Sequence, residues 1–411
     1  MSLVSALFTG VSGLSGQSQA MEVLGDNISN VNTVGFKSSR PVFGDILSTI
    51  LNNGSTQSAI GRGTELNGVI QSFNQGSFET SDNALDMAID GSGFFIVQQG
   101  GGNFYTRSGQ FRMNDSGLVQ SITGQTLQGF AINNGATETN LSDVDLAGVQ
   151  SSPNASTTFT LGANLNAAAS AGTTFTSPIT TYNSVGNTNV LSVVFTKSAT
   201  ANQFSYAITP SNGTITSGAS GTLTFDNSGQ LSLVNGADLA DQTISLDFSS
   251  ENPSAADQTI TWGLTNGDDP NGKLTSFASQ SNNNSFVQDG YPTGTLVGLN
   301  VNATGTIQGL FSNGQTSNLF QVAMADFLSP TGLTRSGANL FAESGNSGQP
   351  IIGTATSGGF GSIVGSSLEL SNVDLSQQFV TLIQTQQAFQ ASARIINTTD
   401  DLLTETVNLV R

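Results

Sequence analysis

Cysteine and histidine are both absent from this 411-residue chain. Their absence excludes disulfides, thiolate chemistry and the usual zinc sites. Cations are nearly as scarce: ten Lys and Arg stand against 28 Asp and Glu, giving a formal net charge of −18. No Lys or Arg lies between Arg112 and Lys197, and only Lys273 lies between there and Arg335. A polyanion binder needs clustered cations, so nucleic acid and anionic membrane are poor partners. The acidic excess reads as the solubility of an exposed surface. No apolar run approaches the roughly 18 residues of a membrane span, so no membrane insertion is expected. The first cation is Lys37 and Gly interrupts the apolar stretch before it, so a Sec leader is not expected. From this inventory neither a nucleophile–base pair nor a metal cluster can be assembled. We therefore expect no enzyme, with catalytic, cofactor-binding and metal residues all none.

Both ends of the chain carry helical periodicity. From Leu375 the tail steps by four and three through Phe379, Leu382, Gln386, Phe389, Ala393, Ile396, Asp400, Leu403, Val407 and Val410. That is a heptad seam with only Gln386 and Asp400 polar. The N-terminus has a companion pattern in Leu3, Leu7, Val11, Leu14, Met21, Leu24, Ile28 and Val31. Beside it runs a stripe of small residues, Ala6, Gly10, Gly13 and Ala20, broken by Gln17. Each interior Gly costs about 1 kcal/mol relative to Ala in a helix, so the first helix is weak alone. Neither helix has a place inside a β-domain, so each must bury its seam against the other and against further copies of the chain. The expected assembly interface is Leu7, Val11, Leu14, Met21, Leu24 and Ile28 with Leu375, Phe379, Leu382, Phe389, Ile396, Leu403 and Val407. A plain dimeric coiled coil is the competing reading of such periodicity. Against it, the outer face Gln377, Gln378, Thr381, Gln384, Gln387, Gln390 and Ser392 lacks the charged pairs a solvated dimer carries.

Between the helices the period becomes two. Phe94 to Val97 read as a buried strand after the turn at Asp90-Gly91. Phe111 and Met113 run into the turn Asn114 to Gly117, and Leu118 starts the return strand. Repeated Asn-Gly pairs predict many short hairpins. The expected fold class is mainly β with α-helical termini. Paired terminal helices (1–37 with 368–411) form a coiled-coil-like core. A linker follows at 38–70, with a short apolar patch at Ile46, Leu47, Ile50 and Leu51. An inner β-domain joins 71–145 with 285–367, and an outer β-domain, 146–284, is inserted in it. Asp268, Asp269 and Asn271 miss EF-hand spacing and read as a turn. Asp143 and Asp145 share a strand face without a base in view and read as solvated, and Trp262 reads as core.

Several phrases resemble the bacterial flagellar axial family of rod and hook proteins, the hook members in particular. The first runs from Asn27 to Lys37, with Asn27, Asn30, Asn32, Thr33, Gly35, Phe36 and Lys37 as its signature residues. The others are Ala84 to Phe95, Tyr105 to Phe111, Leu340 to Glu343 and Ser371 to Leu375. The resemblance implies a structural subunit of the flagellar hook. Such a subunit forms a flexible curved tube outside the cell, a universal joint passing motor torque from rod to filament. It implies export through the flagellar type III apparatus without a cleaved leader, which agrees with the N-terminal reading and with a middle rich in Gly, Asn, Ser and Thr. It places the terminal helices in the tube core and the β-domains at larger radius. Implied partners are the chain itself, rod and hook–filament junction proteins, and the hook cap and export apparatus during assembly, with no cofactor. Cysteine cross-linking between subunits, known in some relatives, does not carry over. A distal rod protein of the same family is the near alternative, though rod subunits generally lack a large insertion like 146–284. A secreted β-rich adhesin or glycan-binding module suits the composition but leaves both helices without a purpose.

Overall fold

The computed structural model describes residues 3–46, 49–53, 56–133, 135–250, 254–265 and 274–409. α1 (Leu3–Ser29) and α2 (Leu375–Leu409) are the terminal helices, and strands dominate what lies between. α2 starts at Asp374, whose Oδ1 accepts the amides of Ser376 (2.9 Å) and Gln377 (3.2 Å), satisfying orphan donors of the first turn. α1 ends in a turn in which the Asn30 amide donates to Asp26 O and Asn27 O. Five residues on, Gly35 holds φ at 70°, where a Cβ would lie 2.5 Å from the Ser108 amide. Only glycine fits that turn.

The segment 38–70 is strand where a linker was expected. Ser39–Asp45 pairs antiparallel with Thr64–Gln71, with a bulge between Val42 and Phe43, and Thr49–Asn53 pairs with Thr56–Ile60. This ribbon lies along α1: a Cβ built on Gly16 would touch the Phe43 ring at 3.3 Å. The Thr64 amide donates to Ser12 Oγ. Of the apolar patch in this segment, Leu47 lies outside the described residues, as do Val410 of the tail seam and Asp268, Asp269 and Asn271.

The chain divides into two compact units. The first comprises 1–148, 298–309 and 317–411, so the helices group with the nearer strands and do not stand apart as a domain. Within it Phe94–Gln99 pairs with Gly102–Thr106 and also meets Thr126–Asn133 and Met324–Ala325. Phe94 to Val97 are buried on both faces, as the unbroken Phe-Phe-Ile-Val run predicts. Phe95, Phe111, Val322 and Met324 fill one side, while Phe94, Tyr105, Phe327 and Phe341 fill the other with edge-to-face rings.

The second unit comprises 149–297 and 310–316. It holds two six-stranded sheets that share one core. Thr188–Lys197 shows why: every second side chain from Asn189 to Lys197 is buried. Trp262 is at the centre of that core, stacked on Phe159 at 5.7 Å and edge-on to Tyr206 at 5.2 Å. Asn282–Gln288 pairs with Thr158–Asn164, so the residues after 284 remain in this unit instead of opening the inner domain.

Candidate functional site

No cluster of reactive side chains stands out among the described residues of the first unit, but two constructions built from the chain ends do. One is the seam between the helices. α2 comes closest to α1 at the stripe of small residues. A Cβ on Gly10 would lie 2.8 Å from Ile396 Cγ1, and one on Gly13 would lie 2.9 Å from Ser392 Oγ. Ala20, Leu24 and Asn27 continue the buried row. Small residues there let the backbones come close.

The opposing row on α2 also differs from the sequence pattern. Leu382, Phe389, Ile396 and Leu403 are partly buried, and the residues between them are Thr385, Ser392 and Thr399. Gln386 and Asp400 are exposed. Thr385 and Thr399 can be buried because each hydroxyl donates to a carbonyl one turn back, Thr381 O (2.9 Å) and Ile395 O (2.7 Å). Among the remaining expected interface residues, Leu7, Leu14, Met21 and Ile28 are partly buried and Leu24 is buried. Val11, Leu375, Phe379 and Val407 are exposed, and Val4, Phe8, Val380, Ile383, Ile395 and Leu402 join them. Phe8 is 64% and Ile383 57% exposed. Within one chain, then, small residues of α1 meet alternating apolar and hydroxyl-bearing residues of α2, and other large apolar side chains stay uncovered.

The second construction fastens the helices to the strands. The Lys37 ammonium donates to Glu369 Oε1 (2.6 Å) and to Asn74 O (2.8 Å), and Arg107 Nη1 lies 3.3 Å from Glu369 Oε2. Exposure of the three side chains is 0%, 5% and 0% for Lys37, Arg107 and Glu369. Burial holds the pKa of Lys37 and of Arg107 below their ordinary values, and the Glu369 charge opposes that fall. Arg107 also donates to Ile89 O and Gly91 O, and the Gly76 amide donates to Glu369 Oε1. Asn27 is buried and exchanges two hydrogen bonds with the Ser39 backbone (2.7 and 2.8 Å) while donating to Gln378 Oε1. Asn372 donates to Ser72 O and Asn74 O and accepts the Ser38 amide. Three distant stretches of the sequence thereby meet at one joint.

The signature residues are mostly framework. Asn30 bonds Asp26 and accepts the Thr33 hydroxyl, the Gly35 amide donates to Glu369 O, and Phe36 is buried under the Arg335 guanidinium. Asn32 is exposed. Asp143 is not merely solvated, as its strand position suggests: it accepts Thr126 and Gln128 side chains, while Asp145 accepts the Ala147 amide. Sequence reasoning missed Glu369 because its partners lie 332 and 262 residues away. Ser392, expected on the outer face, faces Gly13 instead; the signal was available, since Thr385, Ser392 and Thr399 recur every seven residues between apolar positions.

Along its whole length the chain is similar to the flagellar hook protein FlgE of Borreliella burgdorferi, 33% identical over 99% of this chain and 100% of that one. The chain belongs to the flagellar hook protein family. FlgE of Escherichia coli K12 is 31% identical over 97% of this chain and 98% of its own. Four family models match in pieces: the flagella basal body rod protein at 7–37, the flagellar hook protein FlgE/F/G D1 domain at 88–163, the flagellar basal body protein FlaE D2 domain at 154–291, and the flagellar basal body rod FlgEFG protein C-terminal at 364–409. The crystal structure of Helicobacter pylori flagellar hook protein FlgE2 is similar over 69% of this chain and 98% of that one, with 15% identity and a TM-score of 0.42. The rod-type matches fall on the two helices. The joint around Lys37, Arg107 and Asn372 brings together three of the phrases that resemble the family.

Proposed function

We propose that this structural subunit of the extracellular flagellar hook works by assembly and elastic deformation, with no reaction. The observation that carries this is the uncovered apolar row on the paired helices, Val4, Phe8 and Val11 on α1 with Phe379, Val380, Ile383, Ile395, Leu402 and Val407 on α2. Full burial of such a side chain contributes about 1.5–3 kcal/mol, and since each is about half exposed, covering it adds roughly half of that, repeated over the row in every subunit. The helices would line the tube and the β-units would slide past those of neighbouring copies as the hook bends. Rod and junction proteins at the two ends, with the cap and export apparatus during growth, are the partners this reading implies.

A distal rod role is the second reading, because the models matched at both ends are rod-type. The FlaE D2 domain match over 154–291 and the end-to-end likeness to hook proteins favour the hook. Negative-stain microscopy of the purified chain and of material sheared from cells tests the proposal. Curved tubes are expected; straight rods would favour the distal rod, and persistent monomers that bind glycans would favour the adhesin.

A further inference from the structure

Both residues are described in four Asn-Gly pairs: Asn67-Gly68, Asn212-Gly213, Asn235-Gly236 and Asn313-Gly314. An asparagine side chain before glycine is open to attack by the next backbone nitrogen, because glycine has no side chain to block the approach. Three of the four are held against it. Asn313 donates to Pro292 O (2.9 Å) and Ser151 Oγ (3.2 Å) and accepts the Gln315 amide, while the Gly314 amide is tied to Phe311 O (2.9 Å). Asn235 accepts the Thr222 amide (2.9 Å) and donates to Gln242 Oε1 (3.0 Å), and Asn212 donates to Thr188 O (3.2 Å). Exposure does not separate the four, since Asn212 and Asn235 are as open to solvent as Asn67. Bonding does: the Asn67 side chain makes no hydrogen bond among the described residues. The strand pairing also skips this residue. Gly68 pairs with Val42 and Leu66 with Phe43, which leaves Asn67 in a bulge without a partner. Its amide lies over the bare backbone of Gly44, where a Cβ would collide with it. A Cβ on Gly68 would meet nothing within 4 Å, so there is space around the attacking nitrogen.

We propose that Asn67 is a site of spontaneous deamidation, selected among the four pairs by the fold. The Gly68 nitrogen gives up its proton to solvent and bonds to Asn67 Cγ. The Cγ–Nδ2 bond breaks, and the departing nitrogen takes a proton from water and leaves as ammonia. Water then opens the succinimide ring to aspartate or isoaspartate, so solvent is the only co-reactant. The product is a carboxylate on a ribbon that already carries Asp45 and Glu65, with Glu65 opposite Gly44 and Asp45 opposite Thr64. Like charges brought together in this way weaken strand pairing. Isoaspartate also lengthens the backbone, but it does so where the bulge already holds one unpaired residue, so the strands on either side can keep their register. The change is irreversible and accumulates with the age of the subunit on the ribbon that lies along α1.

The full-length chain is incubated in mildly alkaline buffer, and peptide mass spectrometry follows the conversion of each amide to an acid. Asn67 is expected to convert at least about fivefold faster than Asn212, Asn235 and Asn313, roughly the factor that one net hydrogen bond on the amide is worth. In concentrated urea the bonds that protect the other three are gone, and the four rates should converge. Gly68→Ala, whose methyl group has room, should fold normally and slow the conversion of Asn67. Equal rates in the folded chain would overturn the proposal. So would a lead of Asn67 that persists unchanged in urea, because local sequence and not the fold would then set it. A Gly68→Ala chain that converts as fast as the unsubstituted one would overturn the attack by the Gly68 nitrogen.

Discussion

Glu369→Gln tests whether the buried joint holds the helices to the strands. The native cluster has two cations and one carboxylate, Lys37, Arg107 and Glu369, for a net charge of +1 in a site with almost no solvent. Substituting Glu369 leaves +2, with both cations 2.6 and 3.3 Å from a neutral amide. Removing one partner of a buried pair typically costs about 3–5 kcal/mol, because the desolvated charge is left uncompensated. Lys37→Met acts on the charge in the opposite direction: it leaves Arg107 and Glu369 as a neutral pair and loses one bond to Asn74 O. We expect Glu369→Gln to cost about 3–5 kcal/mol and Lys37→Met clearly less. Urea denaturation followed by helical circular dichroism reports the first unit, since both helices belong to it. The fluorescence of Trp262, the single tryptophan, reports the second unit and should keep its midpoint. A Glu369→Gln loss below about 1 kcal/mol, or one equal to that of Lys37→Met, would refute the charge argument.

Gly10→Ala and Gly13→Ala should separate close approach from helix propensity. The new Cβ at Gly13 meets a hydroxyl that can rotate, so the gain of about 1 kcal/mol in propensity should leave stability level or improved. At Gly10 it meets the branch of Ile396 at 2.8 Å and should cost about 1–3 kcal/mol by overpacking, read from the same denaturation curve. Burial, with the Glu343 carboxylate nearby, pushes the Tyr105 pKa up to about 12. The folded state therefore prefers the neutral phenol, and that stabilisation, complete below pH about 10, is lost as pH rises through about 12. Tyrosinate absorbance should show Tyr105 ionising late, and Tyr105→Phe should move alkaline unfolding to higher pH. Phe389→Asp should destabilise the isolated chain as well as block assembly, because Phe389 belongs to the seam between α1 and α2. An unchanged helix melt in that variant would place the ring elsewhere.

Period and punctuation make the helices and many strands legible in the sequence. Phe94 to Val97 read as a doubly buried strand because all four are apolar, and Trp262 reads as core because little else suits a lone indole among β-branched neighbours. The helix faces are harder. A heptad of large residues points to Leu382, Phe389, Ile396 and Leu403, yet the intrachain seam alternates them with Thr385, Ser392 and Thr399 and meets the small residues Gly10 and Gly13 of α1. Small residues permit close approach, and hydroxyls bonded to their own helix can be buried at little cost, so hydrophobicity alone misassigns such faces. The ribbon at 39–71 escapes a reading by period because its alternation is weak and its packing partner is a helix far from any strand signal. The joint at Glu369 depends on pairings across hundreds of residues, which no local pattern encodes. Asn282–Gln288 passes to the second unit for the same reason.

The central claim is that the apolar row left uncovered in one chain is covered by other copies. Ile383→Asp addresses it directly, because Ile383 is 57% exposed and lies off the seam between α1 and α2. The helix melt of the purified variant should match that of the unsubstituted chain, and sedimentation with negative-stain microscopy should find no tubes. Normal tubes from Ile383→Asp would contradict the account.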